Sequence, residues 1–201
     1  MYLFVSISND GKGALSLFEN QKILPAVRNM KDFETFIKSN YKYGVFLELH
    51  LSQLKNVFEM AHKREKKMFL HADLVQGLKN DEYAAEYLCQ EVNPYGLIST
   101  KPGVILKARQ KGVKAIQRIF ILDSNALKRN ITLIQKAQPD FVEVLPGLIP
   151  KIIKEINYKT ERDVFAGGLI ETVDEVENAI QAGAKAVTTS NIKLWKYFHS
   201  F

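Results

Sequence analysis

The chain has 201 residues, and its 46% hydrophobic and 25% charged content is ordinary for one globular domain that buries its own core. Cys89 is the single cysteine, which excludes an intrachain disulfide and a cysteine metal cluster and fits a reducing compartment. The 28 basic residues against 22 acidic ones give a net charge of +6, which favours an anionic partner. No apolar run reaches the length of a membrane span, and the start of the chain lacks a basic secretion signal. We therefore expect a cytoplasmic protein without membrane contact.

Short apolar segments alternate with helical patterns from residue 23 onward. The predicted strands are Ile23–Val27, Gly44–Leu49, Lys67–His71, Gly96–Ile98, Ala115–Phe120, Phe141–Val144, Val164–Ala166 and Ala186–Thr188. The predicted helices are Met30–Lys38, Leu51–Lys63, Asp81–Gln90, Gly103–Gln110, Asn125–Lys136, Leu148–Glu155, Val173–Ala182 and Ile192–Tyr197. This alternation is typical of parallel strands covered by helices.

The predicted strands recur at a regular spacing. Mid-strand residues from Phe46 to Val187 follow one another at steps of 23, 28, 22, 23, 23 and 22 residues. A repeating unit of one strand and one helix fits a closed barrel better than an open doubly wound sheet. We therefore predict an α/β fold with a single small (β/α)8 barrel of the TIM type over residues 21–201. Residues 1–20 precede the repeat and are predicted to be an N-terminal extension that plugs the amino end of the barrel or forms a tail.

Cap and turn residues agree with the predicted helices. Ser124 stands where a helix N-cap is expected, and the Thr172–Glu175 segment has the pattern of a capping box. Gly112 and Gly183 stand just past predicted helices, where a left-handed residue is favoured.

Polar residues stand at the predicted strand ends, which is where barrels of this class place their sites. They are Arg28, Glu48, His50, His71, Asp73, Ser99, Thr100, Lys101, Gln117, Arg118 and Glu143. Arg28, Lys101 and Arg118 are candidates to bind an anion through charge-assisted hydrogen bonds. The alternative for each cation is a solvated charge or a salt bridge to a nearby carboxylate.

The carboxylates at the same strand ends allow two interpretations. Glu48, Asp73 and Glu143 can accept hydrogen bonds from the hydroxyl groups of a polyol. Together with His71 they also offer an acid, a base or metal ligands to an enzyme acting on a phosphorylated polyol or sugar. The sequence shows neither a nucleophile paired with a base nor a metal-binding motif. We therefore predict no catalytic residues and no metal.

The last two predicted strands end in residues suited to phosphate binding. Gly167 and Gly168 end the seventh strand, and Thr188, Thr189 and Ser190 end the eighth. Glycine lets backbone N–H groups approach a phosphate closely, and hydroxyls and the start of a short helix add donors. Barrels of this type commonly bind phosphate at these two loops. The alternative is a tight turn beside a threonine-rich strand end.

Basic residues cluster in one part of the chain. No acidic residue occurs between Val92 and Leu122. The candidate nucleic-acid-binding residues on the fourth and fifth helices and between them are Lys107, Arg109, Lys111, Lys114, Lys128 and Arg129. They would neutralise nucleic-acid phosphates, and the alternative is an ordinary solvated helical face. A shorter basic run, Lys63–Lys67, is interpreted as a loop at the opposite end of the barrel.

Seven stretches of the chain together form a specific set of motifs. They are Ile23–Arg28, Leu70–Leu78, Gly96–Lys101, Gln117–Ser124, Val142–Gly147, Ala166–Ile170 and Val187–Ser190. The set resembles the glycerol-3-phosphate-responsive antiterminators encoded with bacterial glycerol-uptake operons, over roughly residues 20–196. Ala72 departs from the pattern, because the family often has a larger β-branched residue there.

The resemblance implies a ligand and a partner that composition does not reveal. The ligand is sn-glycerol 3-phosphate, and the partner is the leader of a glycerol-catabolism messenger RNA. The liganded protein is expected to favour read-through of a terminator, as a regulator with no cofactor and no catalytic activity. A homo-oligomer is compatible with the sequence.

Overall fold

The structure is a computed structural model that describes Phe18 and residues 21–199 of the chain. Eight strands of these residues form one closed parallel barrel, in which each strand pairs with the next along the chain and the eighth closes on the first. The barrel strands are β1 Ile23–Val27, β2 Tyr43–Phe46, β3 Lys67–His71, β4 Gly96–Ser99, β5 Lys114–Phe120, β6 Phe141–Leu145, β7 Asp163–Gly167 and β8 Ala184–Thr189.

Eight α-helices in the described residues follow the strands in turn. They are α1 Met30–Lys38, α2 Leu54–Lys63, α3 Glu82–Tyr87, α4 Pro102–Gln110, α5 Ser124–Ala137, α6 Pro150–Thr160, α7 Val173–Gln181 and α8 Ile192–Phe198. The predicted single (β/α)8 barrel of the TIM type is therefore confirmed. None of these described helices is long and apolar enough to cross a membrane.

The second strand is shorter than predicted. It ends at Phe46, and Leu49–His50 instead pairs in parallel with Val75–Gln76 in a small ladder outside the barrel. The apolar residues from Gly44 to Leu49 favour one continuous strand in the sequence. The chain nevertheless leaves the barrel after Phe46, and the small ladder satisfies the backbone hydrogen bonds of Leu49 and His50.

Most helix caps form where the sequence predicts them. The capping box at Thr172 forms, and Gly112 and Gly183 adopt φ values of +73° and +102°. The N-cap predicted at Ser124 is wrong. Asp123 caps α5 instead, because its carboxylate accepts a hydrogen bond from the backbone N–H of Ala126, and Ser124 is already the first helical residue.

The apolar core has two layers, because successive strand residues point to opposite faces of the sheet. Residues such as Val45, Phe69 and Phe165 form one cluster inside the barrel, and the larger cluster lies between the barrel and its helices. Phe18 belongs to the inner cluster, with its ring centroid 4.6 Å from that of Tyr43. Its ring therefore lies in the lumen near the amino ends of the strands. The rest of the predicted extension, residues 1–17 and 19–20, lies outside the described residues.

Candidate functional site

A cavity of about 400 Å³ opens at the carboxyl end of the barrel. It is bounded by the ends of β1, β6 and β8, by the inner face of β5, and by the loops that follow β7 and β8. Its lining residues are Ala26, Arg28, Leu47, Arg118, Glu143, Leu145, Gly168, Leu169, Ile170, Glu171, Thr188, Thr189, Ser190 and Asn191. We call it the rim cavity. Its volume lies within the ~300–1,000 Å³ range of small-molecule sites.

The structure brings four of the five predicted phosphate residues into this cavity: Gly168, Thr188, Thr189 and Ser190. The fifth, Gly167, is buried as the last residue of β7 and does not line it. A β-carbon there would lie 3.0 Å from Oε1 of Glu143. The absence of a side chain at Gly167 therefore makes room for that carboxylate.

The loop after β7 has an unusual backbone. Gly168 and Leu169 both adopt positive φ, at +73° and +62°. Leucine in the left-handed region costs about 1–2 kcal/mol, and its side chain here is 69% exposed, so burial does not compensate. Strain of this kind is concentrated at ligand sites, where it fixes a backbone geometry in advance.

The end of β8 is held in place from behind. Trp195 of α8 is buried, and its ring Nε1–H donates to the backbone oxygen of Thr189 at 2.7 Å. Oγ1 of Thr189 accepts from the backbone N–H of Asn191 at 3.1 Å. The buried Oγ1 of Thr188 has no partner among the described residues. Its hydroxyl is therefore available to a ligand.

A buried ion pair forms one wall of the rim cavity. Nε of Arg118 donates to Oε2 of Glu143 at 2.6 Å, and the two side chains are only 11% and 1% exposed. The second carboxylate oxygen, Oε1 of Glu143, has no partner in the described part of the chain. A buried acceptor of this kind is costly unless a ligand or water donates to it.

His71 lies in the barrel lumen near this ion pair. It stands two residues after Phe69 on β3, so its side chain points to the same inner face of the barrel. Its exposed fraction is 2%. Burial, with a further contribution from the charge of Arg118, lowers the pKa of His71 to about 4, against the opposing effect of Asp73 and Glu143. The imidazole is therefore neutral at pH 7, and neither of its nitrogens has a partner among the described residues.

The charges on the cavity lining nearly cancel. The lining contains two cations, Arg28 and Arg118, and two anions, Glu143 and Glu171. Because Arg118 is paired with Glu143, Arg28 is the one lining cation without a carboxylate partner in the described residues. An anion bound here would depend on Arg28 and on neutral hydroxyl and backbone donors.

Three predicted contact residues lie outside the cavity lining. Glu48 and Lys101 are exposed. Asp73 accepts hydrogen bonds from Oγ of Ser99 and, at 2.8 and 2.6 Å, from the backbone N–H and Oγ1 of Thr100. Burial acts to raise the pKa of Asp73, but these bonds outweigh it and hold the pKa below its usual value. Asp73 therefore ties the loop after β3 to the end of β4.

Several lining residues were missed by the sequence analysis. Two of them, Leu47 and Leu145, are apolar and therefore give no signal of a polar site. Residues 169–171 follow the turn at Gly168, and the sequence does not fix the direction of that turn. Asn191 stands just before the predicted last helix, and its Oδ1 caps α8 by accepting from the backbone N–H of Lys193 at 3.0 Å.

The candidate RNA-binding residues are exposed or half-buried on and beside α4 and α5. Lys107 and Lys111 both pair with Glu86, and Lys114 pairs with Asp140 at 2.9 Å. The remaining residues, Arg109, Lys128 and Arg129, are exposed and form no ion pair within the described ranges. The basic surface therefore exists, but half of its predicted cations already have an acidic partner.

Across Phe18 and residues 21–199, no group of three or more His, Cys, Asp and Glu side chains is placed to hold a metal ion.

Fold and site together define a (β/α)8-barrel protein with a small-molecule cavity at its carboxyl rim. The family model described as glycerol-3-phosphate responsive antiterminator matches residues 23–195. The chain belongs to this family of regulatory proteins.

Two solved structures and one curated protein are similar over nearly the whole chain. The glycerol uptake operon antiterminator regulatory protein of Listeria monocytogenes is 49% identical with a TM-score of 0.87, over 90% of this chain and 97% of that one. A glycerol uptake operon antiterminator-related protein of Thermotoga maritima is 31% identical with a TM-score of 0.78, over 88% and 98%. The Escherichia coli protein YgcP, which is described as uncharacterized, is 29% identical over 90% of this chain and 95% of that protein. A deoxyribose phosphate aldolase of Aeropyrum pernix, 16% identical with a TM-score of 0.67 over 88% and 89%, shows the fold alone.

Proposed function

We propose that the rim cavity binds sn-glycerol 3-phosphate and that the liganded protein binds the leader of a glycerol-catabolism messenger RNA, increasing read-through of a terminator. The observation that carries this proposal is the convergence of Gly168 and the hydroxyls of residues 188–190 on one cavity with Arg28. Membership of the antiterminator family supplies the ligand and the regulatory role.

The lining suggests how the ligand is held. The phosphate would bind between the Gly168 turn and the Thr188–Ser190 segment, with Arg28 supplying a charge-assisted hydrogen bond. The glycerol hydroxyls would donate to the unpartnered Oε1 of Glu143, whose other oxygen is fixed by Arg118. Glu48, Asp73 and Lys101 do not line the cavity, so this arrangement gives them no direct contact with the ligand.

The RNA would be attracted by phosphate neutralisation on the surface formed by α4 and α5. Ligand binding changes RNA affinity only if the ligand prefers the RNA-competent conformation, and the strained Gly168–Leu169 turn is an element whose geometry a bound phosphate would select.

The test is the affinity for the organism's own leader RNA with and without glycerol 3-phosphate, together with terminator read-through in a purified transcription reaction. We expect saturating ligand to strengthen RNA binding about 5–150-fold, and added salt to weaken it. The same RNA affinity with and without ligand would contradict the coupling.

Charge reversal tests the α4–α5 surface. Lys107→Glu combined with Lys111→Glu should weaken RNA binding at least about tenfold and leave glycerol 3-phosphate affinity unchanged. Glu86→Gln is the matched control, because it breaks the same two ion pairs without adding an acid. Unchanged RNA affinity in the double variant would show that this surface is not used.

An enzyme acting on a phosphorylated polyol or sugar is the second candidate. The buried, unpartnered His71 beside Glu143 favours it, because such groups can serve in proton transfer. Turnover of glycerol phosphates or their diesters by the purified protein, abolished by Asp73→Asn or Glu143→Gln, would support this alternative. We expect no turnover.

A further inference from the structure

A second cleft, of about 350 Å³, lies at the opposite end of the barrel from the rim cavity. It is formed by the end of α2 and by the segments that lead into β3, β4 and β5, at the amino ends of these strands. Its polar and aromatic lining comes from His62, Lys66, Lys67, Asn93, Tyr95 and Lys114. We call it the amino-end cleft. The proposed ligand site does not use it.

The cleft is basic, and two of its charges have no acidic partner. No acidic residue lines it among those the structure describes. Nζ of the buried Lys66 donates to the backbone oxygens of Ser39 and Tyr41 at 2.6 and 2.7 Å. Ser39 and Tyr41 lie outside the cleft lining, and burial lowers the pKa of Lys66, so its ammonium group is not offered to a ligand in the cleft. Lys114 is paired with Asp140.

Lys67 is held by aromatic rings instead of a carboxylate. Its Nζ lies 5.1 Å from the ring centroid of Tyr95 and 5.5 Å from that of Tyr43, and these two ring centroids are 5.4 Å apart. The Tyr95 ring also packs edge-on against Phe69. A half-buried ring fixed beside a lysine is a combination that binds single-stranded nucleic acid, because bases stack on aromatic surfaces while cations neutralise phosphates.

The cleft continues the basic α4–α5 surface. Gly112, Val113 and Lys114 line the cleft directly after α4, and Lys114 belongs to both regions. The chain from Val92 to Leu122 contains no acidic residue, so cations follow one another from α4 into the cleft.

We propose that the amino-end cleft binds a single-stranded segment of the RNA, with Lys67 at a phosphate and a base on Tyr95. This proposal rests on the proposed function and places the RNA at the end of the barrel opposite the ligand. RNA passing over α4 would enter the cleft at Lys114.

The experiment is a titration of the leader RNA, with saturating glycerol 3-phosphate, into Lys67→Glu, Lys67→Gln and Tyr95→Leu variants of the full chain. Lys67→Glu should weaken RNA binding by about tenfold or more, and Lys67→Gln should reduce the salt slope by roughly 0.7. Tyr95→Leu should weaken binding by about fivefold or more through lost stacking. Glycerol 3-phosphate affinity without RNA should stay at the wild-type value, which shows that the variants are folded.

Lys154→Glu is the matched control, because Lys154 is exposed on α6 and the substitution changes the charge equally. Photo-crosslinking of 4-thiouridine RNA to the wild-type protein gives an independent measurement and should label the peptide that contains Tyr95. The cleft is not an RNA site if its variants bind RNA with the same affinity as Lys154→Glu and the crosslink falls in another peptide. If that result is found while Lys107→Glu with Lys111→Glu abolishes RNA binding, only the cleft assignment fails and the proposed function survives. Absence of wild-type RNA binding refutes both.

Discussion

The two ends of the barrel hold their charges in different ways. At the carboxyl end, Arg118 and Glu143 form a buried pair and the charges on the rim cavity nearly cancel. At the amino end, Lys66 and Lys67 are held by carbonyl groups and aromatic rings, so the cleft keeps a net positive charge. A cavity whose charges balance suits one small ligand recognised by hydrogen bonds, whereas a cleft with an unbalanced positive charge suits a polyanion.

The difference also separates what each end contributes to stability. Unpartnered buried atoms are concentrated at the carboxyl end, at His71, Glu143 and Thr188. Each costs folding free energy, and at Glu143 and Thr188, which line the rim cavity, a ligand can return that cost by hydrogen bonding. The ion pair at the amino end, between Lys114 and Asp140, is partly exposed and therefore worth little. Substitutions at the two ends should differ accordingly.

The largest expected effect comes from breaking the buried pair. Arg118→Gln leaves the Glu143 carboxylate buried and unpaired, so the free energy of unfolding should fall by about 3–5 kcal/mol in urea denaturation. Adding Glu143→Gln should restore most of the loss. The amino-end counterpart, Lys114→Gln, should cost about 1 kcal/mol or less, because water screens its partner. An equal loss of unfolding free energy in Arg118→Gln and Lys114→Gln would contradict the difference between the two ends of the barrel.

The next effect is a pH dependence at the carboxyl end. The pKa of His71 is lowered to about 4 by burial, so between about pH 6.5 and 4 the unfolded chain binds a proton that the folded chain does not. Stability should therefore fall as the pH is lowered through this window, by about 3 kcal/mol for this group. The measurement is urea denaturation as a function of pH for wild type and His71→Gln. Identical pH profiles would show that His71 is not the group responsible.

A smaller effect distinguishes the cations of the rim. Arg28→Gln should weaken glycerol 3-phosphate binding by about 10–100-fold, because Arg28 is the lining cation without a partner in the described residues. Its side chain is exposed, so stability should change by about 0.5 kcal/mol or less. Lys101→Gln is the control, since Lys101 is exposed and outside the cavity lining, and it should leave affinity within about twofold of wild type. Calorimetric titration gives the glycerol 3-phosphate affinity of each variant. An equal loss of affinity in Arg28→Gln and Lys101→Gln would contradict the assignment of Arg28 to the ligand.

The fold was predictable because a closed parallel barrel repeats one unit. Each buried strand is a short apolar run, and the regular spacing reveals all eight barrel strands. The errors fell where local and long-range interactions compete. Leu49 is apolar enough to extend β2 but pairs outside the barrel, and Asp123 caps α5 in place of its neighbour Ser124.

The site was predictable only in part. Strand-end position located Arg28 and the Thr188–Ser190 segment, because strand ends meet at one rim. The sequence left open whether Arg118 would bind an anion or form a salt bridge, and the structure pairs it with Glu143, which stands opposite it on the neighbouring strand. The amino-end cleft was not predicted, because three separate segments of the chain form it. The basic run Lys63–Lys67 alone resembles an ordinary loop.

The most direct test of the whole account is the glycerol 3-phosphate affinity of the wild-type protein, measured alone and in the presence of saturating leader RNA. Coupling between two sites is reciprocal. The account predicts that RNA tightens ligand binding by the same factor by which the ligand tightens RNA binding, within about 5–150-fold. An identical ligand affinity with and without RNA would contradict it.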